Sequence, residues 1–361
     1  MKNMTPLMRL YLDLSLRTRR RAEVQRVIAP YSPVGFGAGV FSGKGEPSFF
    51  FGGEAVIGEK PAAKDTIFRV ASISKMFGAA AALRLVREGK LSLDGGVSET
   101  LGFSTGRPIT LRQLLTHTAA INDRVYDRVL GTPDMPPLDK LLPESFFAYE
   151  PGTRFAYSNL GAGVVGMLVE AASGMLFDDF VRQTFFAPSG IDASFHPQRI
   201  VNQSRMANCY HVPGRTLAYD AYAIAASPMD EAPNPRMHYG IPAGKLMISA
   251  PDLLSLLPVL LRESGEMFVR QDHIGSVRCD AGRGLGAAYA EKGVFAADRA
   301  FWGHQGTAYG ALCEAWIDPK TQTAAVLLTN GIRLGRERPL YAAGRKGVTA
   351  LLDHIAPGLV Y

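Results

Sequence analysis

The spacing of apolar residues divides the chain into stretches of different character. Residues 5–28 carry Leu7, Tyr11, Leu14, Val24 and Val27 among the apolar positions of an amphipathic helix, and Pro30 and Pro33 end it. Residues 34–41 and 48–57 are rich in Val, Phe and Gly, with Gly43-Lys44-Gly45 between them, and predict a β-hairpin. A second helix is predicted from Ser72 to Glu88, its apolar stripe formed by Met76, Ala79, Ala80, Leu83 and Val86 and its stop signal by Gly89. From residue 90 to 240 the pattern predicts helical segments near 111–118, 138–148, 159–173 and 176–186, joined by loops bearing Pro and Gly. The stretch 195–240 holds five prolines and little periodicity, and predicts a long loop over a site. Beyond it come a helix at 250–262, strands at 285–290, 298–305, 310–317 and 323–329, and a last helix at about 337–355.

Strands, then helices, then strands and a helix predict an α+β fold. Early and late segments share one antiparallel sheet flanked by helices, with an all-helical domain inserted between them. The expected division is residues 1–90 plus 241–361 for the sheet domain and 91–240 for the mainly helical domain. The crevice between two closely packed domains is the default place for a site.

Composition narrows the function classes. The chain of 361 residues is 47% hydrophobic and 20% charged, enough apolar material for a real core. Its net charge of +6 and pI near 9.2 permit anionic ligands without pointing to nucleic acid. The cluster Arg17, Arg19, Arg20, Arg21 reads as a solvated helix face, with a membrane-surface or partner contact as the alternative; no aromatic residues interleave with it as a nucleic-acid groove needs. Cys209, Cys279 and Cys313 lack metal-ligand spacing and form no even disulfide framework, which favours a reducing compartment. The segment Leu7–Leu16 is interrupted by Arg9 and Asp13, no small-residue cleavage site follows, and no run reaches the length of a spanning helix. The expectation is a cytoplasmic protein with no membrane or nucleic-acid partner and no metal or cofactor.

Three short motifs carry chemistry. Ser72-Ile73-Ser74-Lys75 places a hydroxyl and an amine three residues apart at a helix start, where they share a face. A serine needs an adjacent base to become a nucleophile, and a desolvated lysine can be that base. Tyr157-Ser158-Asn159 follows the turn signal Pro151-Gly152 and precedes a helical pattern. A tyrosine there can shuttle a proton if positive charge such as that of Lys75 lowers its pKa, and Asn159 offers both an acceptor and a donor. Taken alone, the same residues read more readily as a packing tyrosine and a helix cap. His304-Gln305-Gly306-Thr307 lies on or beside a strand, where a glycine permits close approach of a ligand and backbone N–H groups can face an oxyanion. His304 also reads as a core histidine with a satisfied hydrogen bond.

The order Ser-x-x-Lys, Tyr-x-Asn, His-x-Gly resembles the three-part signature of the serine β-lactamase/penicillin-binding-protein superfamily. The variants resemble its class C-like branch, which includes class C β-lactamases, D-alanyl-D-alanine carboxypeptidases, D-aminopeptidases and β-lactamase-fold esterases. Further stretches carry the likeness: Phe68-Arg69-Val70-Ala71-Ser72, Glu88-Gly89-Lys90-Leu91-Ser92-Leu93-Asp94, Ile109-Thr110-Leu111-Arg112-Gln113-Leu114-Leu115-Thr116-His117-Thr118, Pro151-Gly152-Thr153-Arg154-Phe155, Pro242-Ala243-Gly244 and Leu328-Thr329-Asn330-Gly331. The resemblance covers about residues 34–335.

What it implies is a β-lactamase/transpeptidase-like fold and a serine hydrolase that cleaves an ester, amide or small-peptide bond through an acyl-enzyme. Ser72 would be the nucleophile and Lys75 its activator, with Tyr157 sharing the proton. Asn159 would contact the substrate amide or hold Lys75. His304 and Gly306 would line the strand edge, and the backbone N–H groups of Ser72 and Thr307 would form the oxyanion hole. Ser74 falls at the motif's variable position. His117, the natural choice for a Ser/His/Asp triad, sits in a segment to which the resemblance gives a structural role. Tyr126 and Tyr309 are further pocket candidates. His304 stands where class C β-lactamases commonly carry lysine, so a substrate carboxylate is expected to lose a permanent cation, which argues against efficient β-lactam hydrolysis. The rivals are an acyltransferase on the same fold and a catalytically silent binding homologue.

Overall fold

A computed structural model describes residues 23–132, 135–229, 232–271, 282–335 and 340–355. Its centre is an eight-stranded antiparallel sheet with spatial order β3-β2-β1-β12-β11-β10-β9-β8. The strands are β1 (Gly35–Ser42), β2 (Ser48–Val56), β3 (Lys60–Pro61), β8 (Gly282–Arg283), β9 (Ala288–Ala290), β10 (Phe301–Ala308), β11 (Ala311–Ile317) and β12 (Thr323–Thr329), while β4 (Ile67–Arg69) pairs with β7 (Met247–Ser249) and β5 (Cys209–His211) with β6 (Thr216–Tyr219). The β1–β2 hairpin matches the sequence expectation. β1 also pairs with β12, from Phe36↔Thr329 to Ser42↔Thr323, so both ends of the chain build one sheet.

Alternation along β12 shows how the sheet is covered. Ala324, Val326 and Leu328 face one apolar cluster, and Ala325 and Leu327 face another. The larger cluster takes in α1 (Ser74–Arg87), α2 (Asn159–Ser173) and α3 (Ala250–Glu263); the smaller one takes in α4 (Ala342–Ile355) and Val24 and Ile28. α1 is buried along its first ten residues, Ser74 to Leu83, because it lies between the sheet side and the helical layer. Helices between β4 and β5 are otherwise short, as at Leu111–Leu115 and Leu138–Leu141, and α2 is the long one.

Several expected elements differ in extent. The helix expected from Ser72 begins as a 3-10 turn, Ala71–Ile73, and becomes α-helical at Ser74. The helix expected over 111–118 ends at Leu115, because His117 takes φ +56°. β10 runs three residues beyond its expected end, so it includes the whole of His304-Gln305-Gly306-Thr307. The largest difference is in 195–240, which is not a loose loop. It carries the β5–β6 hairpin, the helix Ala221–Ala225 and several 3-10 turns. The Asn330 amide fastens it by donating to the carbonyls of Glu54, Ala55 and Asn208. Residues 5–22, the arginine cluster and Cys279 lie outside the described residues.

Candidate active site

The three motifs converge on one hydroxyl. Lys75 Nζ lies 3.0 Å and Tyr157 Oη 2.9 Å from Ser72 Oγ. Lys75 Nζ also donates to Asn159 Oδ1 at 2.8 Å and to the Ala243 carbonyl at 2.6 Å. Those two acceptors fix the amine against the serine hydroxyl, where it can exchange a proton with Oγ. Lys75 is buried and Ser72 half-buried, so the pair is sheltered from water while the hydroxyl stays reachable.

Local backbone geometry presents the serine. Ala71 adopts φ +48°, a left-handed conformation that costs energy for a residue with a Cβ and that turns β4 abruptly into the 3-10 turn. Ser74 is fully buried and accepts the Leu246 N–H at 3.0 Å, a structural bond that removes it as a rival nucleophile.

Gly306 decides how closely β10 approaches. A Cβ there would fall 2.3 Å from the Val70 carbonyl and 3.0 Å from Ser72 N, so only glycine lets the strand lie against the serine turn. β9 pairs with β10 only from Phe301 to Gly303, and the edge from His304 onward is not covered by it. An extended substrate can lie along that edge.

His304 is buried, and its Nδ1 donates to the Gln305 carbonyl at 2.6 Å, which leaves Nε2 as an acceptor. Burial, with the positive charges of Arg283 and Lys75, pushes its pKa down to about 3. The imidazole is therefore neutral and does not replace a lysine, as the sequence predicts. A permanent cation nevertheless stands elsewhere in the pocket, on Arg283. It lines the same cavity of about 300 Å³ as Ser72, Tyr157, Asn159, His304 and Thr307, and stacks over the rings of Phe155 and Tyr157 at 5.3 and 5.9 Å. No motif marks Arg283 in the sequence; only the pairing of β8 with β9 brings it beside the pocket.

His117 holds the tyrosine. Its carbonyl accepts the Ala156 N–H at 2.7 Å, its Nδ1 accepts the Ser158 N–H at 3.2 Å, and its ring lies 4.5 Å from that of Tyr157. Burial and nearby cations hold its pKa well below the usual histidine value. Asp123, invisible in the sequence, performs a parallel task for Asn159. Its carboxylate accepts from Ser158 Oγ at 2.5 Å, Asn159 N at 2.5 Å and Leu160 N at 3.3 Å, at the N-terminus of α2, where the helix dipole favours a negative charge. Tyr126 is buried in the core, and Tyr309 is 45% exposed at the end of β10. Among the described residues no group of three or more His, Cys, Asp or Glu is arranged to hold a metal ion.

Comparison with known proteins gives the family. The family model described as Beta-lactamase matches residues 33–346. The chain is 29% identical over 336 residues to Esterase EstB of Burkholderia gladioli, covering 81% of this chain and 84% of that one. It is 29% identical over 149 residues to Penicillin-binding protein 4* of Bacillus subtilis, covering 39% of this chain and 33% of that protein, so it spans about a third of that relative's length. The D-amino acid amidase of Ochrobactrum anthropi superposes with a TM-score of 0.73 at 19% identity, over 94% of this chain and 99% of the other, a likeness of fold. The chain belongs to the beta-lactamase family.

Proposed function

We propose that this protein is a serine hydrolase that cleaves an ester, amide or small-peptide bond through an acyl-enzyme on Ser72. One observation carries the reading: Ser72 Oγ is bonded at once by Lys75 Nζ at 3.0 Å and Tyr157 Oη at 2.9 Å. Ser72 Oγ bonds to the substrate acyl carbon as its proton passes to the Lys75–Tyr157 pair. The N–H groups of Ser72 and Thr307 take the developing oxyanion. As the carbon–leaving-group bond breaks, Tyr157 returns the proton to the departing atom. Water, losing its proton to the same pair, then releases the acyl group and restores the serine. Asn159 and the Ala243 carbonyl keep Lys75 aimed through both halves.

Relatives named as an esterase and as a D-amino acid amidase bracket the ester and amide classes. Neutral His304 supports small uncharged leaving groups, while Arg283 admits an anionic one. The test is intact-mass analysis after fluorophosphonate treatment, beside a panel of chromogenic esters, D-amino-acid amides and cephalosporins. The expected result is one adduct on Ser72, absent in Ser72→Ala together with turnover. An active protein that takes no adduct, or a Ser72→Ala variant that still turns over, overturns the reading.

A further inference from the structure

Arg69 is 8% exposed, yet its Nε and Nη1 are buried without any hydrogen-bond partner. Its guanidinium packs against a pair of tyrosine rings, 5.1 Å from the centroid of Tyr219 and 4.6 Å from that of Tyr309, and the rings themselves touch at 5.6 Å. Cation–π contact orients the guanidinium but gives its N–H groups no acceptor. A buried cation with unsatisfied donors is costly unless something anionic completes it. No described carboxylate forms an ion pair with it. Nearby stands a second cation, Lys245. It too has no acidic partner among the described residues, and desolvation and the Arg69 charge lower its ammonium pKa. Two like charges gathered without a counter-ion, one of them oriented by a pair of aromatic rings, suit a planar anion.

Position ties this cluster to the nucleophile. Arg69 precedes Ser72 by three residues, and Lys245 follows Ala243, whose carbonyl holds Lys75, by two. Tyr309 follows the pocket residue Thr307 by two and takes φ +52°, a strained conformation for a tyrosine. Arg283 lines the pocket beside Tyr157. Tyr157 protonates the leaving group in the scheme above, so the leaving group lies on the Arg283 side. The acyl chain then runs the other way, past Thr307 towards Tyr309 and Arg69.

We propose that Arg69 and Lys245, framed by Tyr219 and Tyr309, form a subsite for a carboxylate carried by the acyl part of the substrate. The preferred substrates are then half-esters or half-amides of dicarboxylic acids, or acyl groups with an equivalent anionic end. This rests on the acyl-enzyme reading and specifies its substrate class.

The experiment compares 4-nitrophenyl half-esters of adipate, pimelate and suberate with the same esters capped as methyl esters at the free acid. For at least one chain length, wild type should favour the acid in kcat/KM by about tenfold or more, the gain expected of a charge-assisted pair. Lys245→Met and Arg69→Gln should each pull that ratio towards unity, and Arg283→Gln should leave it in place. Lys245 is exposed, so its variant is informative even if Arg69→Gln does not fold. Equal or better turnover of the capped esters at every length overturns the subsite and leaves the hydrolase reading standing. So does a preference for the acid that survives Lys245→Met but collapses in Arg283→Gln. Absence of turnover of any ester overturns the hydrolase reading, and the subsite with it.

Discussion

At the scale of single residues, the site separates groups that exchange protons from groups that hold them in place. Tyr157 is 37% exposed and its ring packs on His117, so Tyr157→Phe keeps the packing and removes only the phenol that bonds Ser72. We expect kcat to fall by roughly 10²–10⁴, the usual contribution of a positioned acid–base group, with little change in thermal stability. Steady-state kinetics beside a melting curve checks this; a fall below threefold would remove Tyr157 from the proton path. Asp123→Ala should behave differently. It frees three donors at the start of α2, so it should cost about 1–3 kcal/mol in denaturant unfolding as well as activity, because Asn159 loses its anchor. Loss of activity with unchanged stability would contradict that positioning role. The sequence marks Ser72, Lys75, Tyr157 and Asn159 because their chemistry depends on short fixed spacings. Asp123 lies 36 residues before Asn159 and Arg283 lies 21 residues before His304, distances that no local period registers.

At the scale of elements, catalysis depends on how closely β10 lies against the turn Ala71–Ile73. Gly306→Ala places a methyl within 2.3 Å of the Val70 carbonyl, a contact that backbone cannot relieve by rotating a side chain. The strand must retreat, and with it the Thr307 N–H to which we assign the oxyanion. We expect a loss of about 10² or more in kcat, comparable to removing one oxyanion donor, and a stability cost of about 1–3 kcal/mol from overpacking. Acylation by the fluorophosphonate, followed by mass over time, should slow in parallel; wild-type acylation would show that β10 does not set the oxyanion geometry. The β1–β2 hairpin, α2, α3 and β12 are legible in the sequence because each is an apolar stretch bounded by turn or cap residues. The segment 195–240 is not, because its order comes from distant partners. Asn330 fastens Asn208, and Glu170 accepts from the Asn234 N–H and bonds the His238 ring. Such contacts leave no periodic trace where the segment itself is read.

At the scale of the whole molecule, two buried groups on neighbouring strands set opposing pH dependences. His304 on β10 has its pKa pushed down to about 3, so between that value and its ordinary 6.5 the unfolded chain binds the proton more readily. Stability from this residue is complete above pH 6.5 and is lost as pH falls towards 3. Glu314 on β11 is fully buried, and burial raises its pKa to about 8 although Gln305 and Trp316 both donate to it. Between its ordinary 4.5 and 8 the folded chain holds the proton more readily. Its contribution is therefore complete below pH 4.5 and is lost as pH rises through 8, at up to about 1.4 kcal/mol per pH unit. Over pH 4.5–6.5 the two slopes oppose each other, and above 6.5 only Glu314 still acts. We expect Glu314→Gln to flatten the decline in unfolding free energy between pH 6.5 and 8, whatever its absolute stability, because the variant has no proton to lose. Urea unfolding at half-unit pH steps measures both slopes. Parallel curves for wild type and variant would mean that Glu314 is already ionised in the fold, its two donors outweighing its burial.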